Sequence, residues 1–355
     1  MIVLDYKKII VIFILLITNN KINEKIRQTL INPKISIFLP TYNKEKYIEK
    51  ALNSLQNQSL KDIEIIVIND SSNDNTSEIL HCYASKDKRI KILNNKKNYG
   101  LLYSRAMGII HSSGEYLLNL DPDDELDDSD NLEYLYKKAI TYNVDIISFN
   151  YFIKSVNKSI NLCNDFDIVK RQPKIFESIF NEDYTLRDYL IWNKIIKKDI
   201  FLKAYEIFKN YIYYKKWNYH EDNIWSLLVH YLASSKLCLN KTIYDYNDIQ
   251  NNDSLMKTRK SLMECNNFIY RFEMIRQILN DPVYLKYINA ECNSLIENIY
   301  FSSEFRKKID TNKNLNEKVF YNFKICLNNY NISIKHRNYT IDLMKLFNKN
   351  ISTII

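Results

Sequence analysis

Glycine is almost missing: the chain has 3 in 355 residues. In so glycine-poor a chain, Gly100 is expected to be required for its backbone conformation more than a glycine in an average chain. The 6 cysteines (Cys82, Cys163, Cys238, Cys265, Cys292, Cys326) form no C-x-x-C pair and have no histidine at ligand spacing. That excludes the usual zinc modules. Nor do they suggest a disulfide framework in so long a chain, and they are expected to be ordinary buried thiols. No apolar run reaches the ~20 residues of a spanning helix. The longest at the N-terminus, Ile9–Ile17 after Lys7-Lys8, is followed by no small-x-small cleavage site. It is open to reading as an anchor, an uncleaved signal, or a buried strand or helix, so possible membrane association rests on it. Localisation is left between membrane-associated and cytoplasmic. No internal repeat and no nucleic-acid motif is present, and the basic residues behind the net charge of +8 are scattered. Nucleic acid is therefore not an expected partner, although an anionic ligand or a membrane surface is compatible with the charge.

What is present is a globular composition, 46% hydrophobic and 26% charged, over a length that suits two domains. Tyrosine (28 residues), asparagine, lysine and isoleucine are abundant, a bias that reads as the drift of an AT-rich genome. Asn-rich and Lys-rich stretches are accordingly discounted as functional signals.

Three regions are expected: an apolar segment and linker over 1–32, a catalytic region over 33–240, and a mostly helical accessory region over 241–355. From Lys34 the sequence alternates regularly. KISIFL (34–39), IEIIVI (63–68), Arg89–Leu93, YLLNL (116–120) and Val144–Phe149 read as strands. Lys46–Gln58, Thr76–Ala84, Leu101–His111 and Ser129–Tyr142 have helical periodicity. Such alternation gives an α/β fold with a mainly parallel twisted sheet and helices on both faces. Ligands of these sheets lie at the carboxyl ends of the strands. There the polar clusters Thr41–Glu45, Asn69–Asp74 and Asp121–Asp124 fall. After about residue 155 the regularity fades, and helices with irregular connections are expected.

Asp121-Pro122-Asp123 sets two carboxylates beside a turn after a buried strand, suited to a hard divalent cation shared with phosphate oxygens. An acidic turn is the plain alternative. Asp70 ends a strand, where it could accept hydrogen bonds from a base or ribose, or simply form an Asx-turn. Gly100 opens the helix carrying Arg105, and that arginine could meet a phosphate, the acidic turn or solvent.

These residues together resemble the family 2 glycosyltransferases, whose catalytic domain is of the GT-A nucleotide-diphospho-sugar transferase type. Pro40-Thr41-Tyr42-Asn43 resembles the family's Pro-x-Tyr-Asn, and Asn69–Thr76 its Asn-Asp-Gly-Ser segment, with Ser71 where glycine is commoner. Asn98–Arg105 resembles Asn-x-Gly-x-x-x-x-Arg, with Met107 replacing a later asparagine, and Gly114–Asp124 resembles Gly-Glu-Tyr, strand, Asp-x-Asp-Asp. Trp192-Asn193-Lys194 and Glu221-Asp222 are similar to two later motifs. The resemblance covers about 35–150 well and 185–235 moderately.

It implies a metal-dependent, inverting transfer from a nucleotide-diphosphate sugar, usually UDP-linked, to a glycan, lipid or protein acceptor that the sequence leaves unidentified. The donor would be bound by Pro40, Thr41, Tyr42, Glu45, Asp70, Asn98, Gly100, Arg105 and Asp121. Asp123 would ligate Mn²⁺ or Mg²⁺, and Asp222 would be the general base, with Glu221 as the alternative. Taken on their own, the last two residues are better accounted for by helix capping, and it is the other motifs that favour the base. Two competing classes stand beside this. A haloacid-dehalogenase-like phosphatase also has strand-then-Asp-x-Asp, but Asp124-Glu125 does not continue its pattern. A non-catalytic sugar-nucleotide-binding member of the same fold would not need both Asp123 and Asp222.

Overall fold

The structure, a computed structural model, describes residues 33–163, 168–178, 188, 190–212 and 221–247. The N-terminal apolar run and most of the expected accessory region lie outside the described residues.

The first strands are apolar on both faces because both faces are covered. β1 (Ile35–Thr41) and β2 (Ile63–Asn69) are buried at every position. On one face Ile35, Ile37 and Leu39 join a core with Ile48, Ala51, Leu52 and Leu55 of α1 (Ile48–Gln56). Those four helical positions follow the i, i+3, i+4, i+7 spacing that makes one apolar stripe. On the opposite face, Phe38 packs edge-on against Phe201 of α6 (Lys198–Ile212), ring centres 6.1 Å apart. α2 (Thr76–Lys86), β3 (Ile90–Asn94), α3 (Leu101–His111), β4 (Tyr116–Asn119), α4 (Asn131–Tyr142) and β6 (Ile146–Ile153) follow in the expected alternation, with a short strand β5 (Glu125–Leu126), which was not expected, between β4 and α4.

Pro40 fits a central strand for a local reason. Phe38 accepts the backbone N–H of Leu120, so alternate residues of β1 face β4, and the β1–β4 ladder ends at Phe38. The N–H that proline lacks would have pointed where no ladder bond remains.

Beyond residue 155 the expectation of helices with irregular connections is corrected. Helices α5 (Lys174–Glu177), α6 and α7 (Glu221–Leu232) are present, but so are strands β7 (Lys158–Ile160), β8 (Val169–Arg171), β9 (Lys194–Lys197) and β10 (Ser235–Tyr246). Among the described residues the sheet runs β3-β2-β1-β4-β9-β6-β10-β5, with β7 on β6 and β8 on β10. It is mixed. β3, β2, β1 and β4 are parallel, β9 is antiparallel to both β4 and β6, and β10 is parallel to β6. β10 continues the sheet past residue 240, the expected edge of the catalytic region, as far as Tyr246.

The expectation of unpaired, buried thiols is also corrected. Cys163 and Cys238 form a disulfide across a separation of 75 residues, Cα atoms 5.2 Å apart. β6 and β10 pair with Ser148 opposite Cys238, and Asn150 Oδ1 accepts the N–H of Cys163 at 3.0 Å. That bond folds the loop carrying Cys163 back onto the strand pair, within disulfide reach. Cys82 is a free, exposed thiol.

Candidate active site

The parallel strands deliver their following loops to one edge of the sheet, and the first two loops are stitched together. Asn43 N–H donates to Ser72 Oγ at 3.0 Å, and Asn43 Oδ1 accepts the N–H of Asn73 at 2.8 Å. Glu45 N–H donates to Asp74 at 3.1 Å while the Glu45 carboxylate accepts the N–H of Asn75 at 2.9 Å. Thr41 is buried with its hydroxyl on Leu39 O, whereas Tyr42 is 40% exposed and is the open member of this group.

Asp70 is turned inward. Its carboxylate accepts Asn95 Nδ2 at 2.7 Å and the backbone N–H groups of Tyr99 at 2.9 Å and Gly100 at 2.8 Å. It thereby fixes the loop entering α3. Gly100 has φ 96° and ψ 171°, a conformation essentially restricted to glycine, as its retention in this chain suggests. In the same loop Asn98 Oδ1 is buried without a hydrogen-bond partner.

Arg105 is the hub of the edge. Of the partners open to it from sequence, it takes the acidic turn and adds the start of α7. Only 2% of it is exposed. Nε donates to Asn119 Oδ1 at 3.1 Å, Nη2 to Asp121 at 3.1 Å, and Nη1 to Glu221 at 2.5 Å and to Asp222. Burial opposes the charge on this guanidinium, but Asp121 and Glu221 outweigh it and hold the pKa above the ordinary arginine value. Glu221 and Asp222 differ in access: their side chains are 4% and 18% exposed, and Glu221 Oε2 has no hydrogen-bond partner.

The turn after β4 holds further charges. Asp124 is buried and accepts Tyr244 Oη–H and the N–H of Asn247, each at 2.7 Å. Burial, then Asp123 and Asp121, push its pKa well above the usual carboxylate range. Tyr244 Oη also accepts the N–H of Asp121 at 3.2 Å, so β10 shapes the turn. Asp123 pairs instead with Lys44, whose Nζ lies 2.6 Å from Oδ2. Among the described residues no group of three or more His, Cys, Asp or Glu is arranged to hold a metal by itself. The oxygen donors at Asp121 and Asp123 still fit Mg²⁺ or Mn²⁺ bound through one or two carboxylates with phosphate oxygens completing the shell.

A second polar cluster holds α7 from behind. Lys194 is fully buried, and its Nζ donates to Asp188 at 2.5 Å, to Asn193 Oδ1 at 2.6 Å and to Leu190 O. Lys236 of β10 donates to Asp188 at 2.7 Å and to His230 Nε2 at 3.0 Å. That bond leaves the proton of His230 on Nδ1, which donates to Ser226 O at 2.7 Å. Burial depresses Lys194 to about 8, and burial with Lys236 pushes His230 well down. Against its own burial, Asp188 is held far below the usual range by Lys194 and Lys236. Thus Asn193 and Lys194 are tied through Asp188, Lys236 and His230 to the helix that begins with Glu221-Asp222, whereas Trp192 of the same motif stacks on Tyr244 and Tyr246 of β10.

Sequence reasoning passed over Lys44, Asn95, Asn119, Asp124 and Tyr244 as site residues. Lys44 adjoins the Pro40–Asn43 motif, and that adjacency was the available signal.

Comparison with known proteins bears on this edge. Residues 36–203 match the model described as "Glycosyl transferase family 2". The chain is 32% identical over 228 residues to "Glycosyltransferase GlyA" of Streptococcus pneumoniae, covering 61% of this chain and 31% of that protein. It is 27% identical over 364 residues to "Cholesterol galactosyltransferase" of Borreliella burgdorferi, covering 89% and 98% respectively. Against "Uncharacterized glycosyltransferase EpsJ" of Bacillus subtilis it is 28% identical and spans 62% of the relative's length. Part of each of GlyA and EpsJ therefore lies outside the match. In fold, the chain is similar to S. aureus TarS 1-349 in complex with UDP-GlcNAc, with TM-score 0.64 and 17% identity over 90% of this chain and 93% of that one.

Proposed function

From the match of residues 36–203 to the glycosyl transferase family 2 model, we propose that this protein transfers a sugar from a nucleotide-diphosphate donor, UDP-linked, to an acceptor hydroxyl by a single inverting displacement. The observation that carries the reading is Arg105, which joins Asp121 at the end of β4 to Glu221 and Asp222 at the start of α7. It sets the candidate base beside the candidate metal turn, at the sheet edge where such folds bind ligands.

In this reading the catalytic region expected over 33–240 extends to the end of β10 at Tyr246, and the accessory region follows it. Thr41 and Tyr42 line the nucleotide pocket, and Asp70 shapes it by fixing Tyr99 and Gly100. Asp121 lies near the ribose or sugar. Asp123, with phosphate oxygens of the donor, would hold Mn²⁺ or Mg²⁺, which when bound neutralises charge on the departing diphosphate. Asp222, more exposed than Glu221, takes the proton of the acceptor hydroxyl as that oxygen attacks the sugar carbon. The Asp188 cluster keeps α7 seated so that this carboxylate stays in place. A donor screen tests the reading: slow hydrolysis of one nucleotide sugar without acceptor, rising with Mn²⁺, supports it. No hydrolysis or binding of any nucleotide sugar would remove it.

A further inference from the structure

Lys44 is a cation of this edge that the proposed mechanism leaves unused. Its backbone is fixed on both sides. Its N–H donates to Thr76 Oγ1 at 2.8 Å, and its carbonyl accepts the N–H groups of Tyr47 at 2.9 Å and Ile48 at 3.0 Å. From this anchored position its side chain passes 5.8 Å from the centre of the Tyr47 ring and reaches Asp123, 79 residues on in sequence. Asp121 and Asp124 share that turn. Arg105, also at this edge, is engaged by Asp121, Glu221 and Asp222, and its described contacts include none to Asp123. The side chains of Lys44 and Asp123 are 23% and 24% exposed, so their ion pair lies in contact with solvent. A pair so placed is held weakly and is open to exchange.

We infer that Lys44 is a resident counter-ion of Asp123, which a divalent cation must displace, and that the displaced ammonium transfers to the diphosphate of the donor. The inference rests on the reading of Asp123 as a metal ligand. Two positive groups on one carboxylate repel each other, so metal entry alone strips Lys44 of its partner. A diphosphate arriving with the metal supplies a new anion within reach of a flexible stem bearing three donors. Metal and nucleotide then assist each other's binding, by the same factor in either order. Under this arrangement the edge takes up metal mainly together with a phosphorylated ligand.

The experiment titrates Mn²⁺ alone, and then UDP at saturating Mn²⁺, into the full chain, reading free Mn²⁺ by paramagnetic resonance and UDP by calorimetry. The proteins are wild type, Lys44→Met, Lys44→Arg and Asp123→Asn. Lys44→Met is expected to bind Mn²⁺ alone more tightly, by about fivefold for loss of an exposed competing charge. It should bind UDP with Mn²⁺ more weakly, by about tenfold for loss of a charged hydrogen bond. Lys44→Arg, which keeps the charge, should follow the wild type in the first titration. Loss of Mn²⁺ binding in Asp123→Asn, with unchanged Mn²⁺ affinity in Lys44→Met, overturns the role of Lys44 alone. Undiminished Mn²⁺ binding in Asp123→Asn overturns the metal reading and this inference with it.

Discussion

Arg105 and Asp222, 117 residues apart in the chain, meet in a hydrogen bond at the carboxyl edge of the sheet. The same guanidinium nitrogen reaches Glu221, and its neighbour reaches Asp121. One side chain thus fixes the distance between the turn after β4 and the first turn of α7.

Replacing Arg105 by methionine should cost more than the loss of an ordinary ion pair. Glu221 would remain as a buried carboxylate without its partner, and uncompensated buried charge costs about 3–5 kcal/mol. Arg105→Lys keeps the charge, but an ammonium cannot span Asn119, Asp121 and Glu221 as a planar fork does, so an intermediate loss is expected. Urea unfolding of both variants measures this. A Met variant as stable as wild type would show that the hub is dispensable to the fold.

Asp222→Asn should leave UDP binding intact and lower sugar transfer by roughly a hundredfold, the usual scale of a positioned base. Glu221→Gln should act mainly on stability, because its side chain is the more enclosed of the two. Turnover at saturating donor, with melting temperatures alongside, separates the effects. Near wild-type transfer in Asp222→Asn would exclude it as the base.

Gly100→Ala should destabilise the protein by about 1–3 kcal/mol, since φ 96° with ψ 171° is strained for any side chain. Gly108→Ala tests a different demand of α3: a Cβ there would lie 2.7 Å from Phe38, so the helix must lift from β1. About 1–3 kcal/mol is expected again. Denaturation midpoints should fall for both, and UDP affinity should fall further for Gly100→Ala because its loop is held by Asp70.

Glu64 makes folding sensitive to acid. It accepts hydrogen bonds from Ser36 Oγ at 2.6 Å, from the N–H and hydroxyl of Ser113, and from Lys91 at 2.6 Å. Burial raises its pKa, but these donors together outweigh burial and lower it. A folded-state pKa below the unfolded value of about 4.3 means that the contribution is present above that pH. It is lost as pH falls through the lowered folded value. Urea midpoints measured from pH 7 down to pH 3 should decline less steeply in Glu64→Gln than in wild type. Parallel curves would remove Glu64 as a source of acid lability.

Apart from the two-residue β5, the strands and helices up to Ile153 were legible because their signals are local: unbroken apolar runs for β1 and β2, and a period of 3.6 for α1. The strand-end turns were legible for the same reason. β9 was not, because it is four residues long and begins with Lys194. No local signal says that a lysine will be buried when its counter-ion, Asp188, is shared with Lys236 of the distant strand β10. The Cys163–Cys238 pair was hidden by distance in sequence, and Lys44 by the abundance of lysine around it. For Arg105 the sequence offered several partners, and only the fold selects among them.

The position of β9 has a consequence for synthesis. It lies between β4 and β6, with Tyr116 opposite Lys197 and Ile146 opposite Ile196, yet it emerges after both neighbours. β10, which covers the other side of β6, emerges later still. While the chain is being made, β7 can pair at once with Tyr151–Ile153, but the β10-facing edge of β6, its Ile146–Ser148 stretch that β9 will cover, and one edge of β4 must wait with their amide groups unpaired. Open strand edges are templates for pairing with other chains, and late non-local pairing prolongs their exposure. The nascent chain is therefore most exposed to aggregation, and most in need of a chaperone, after Ile153 has left the ribosome and before Lys194–Lys197 has followed.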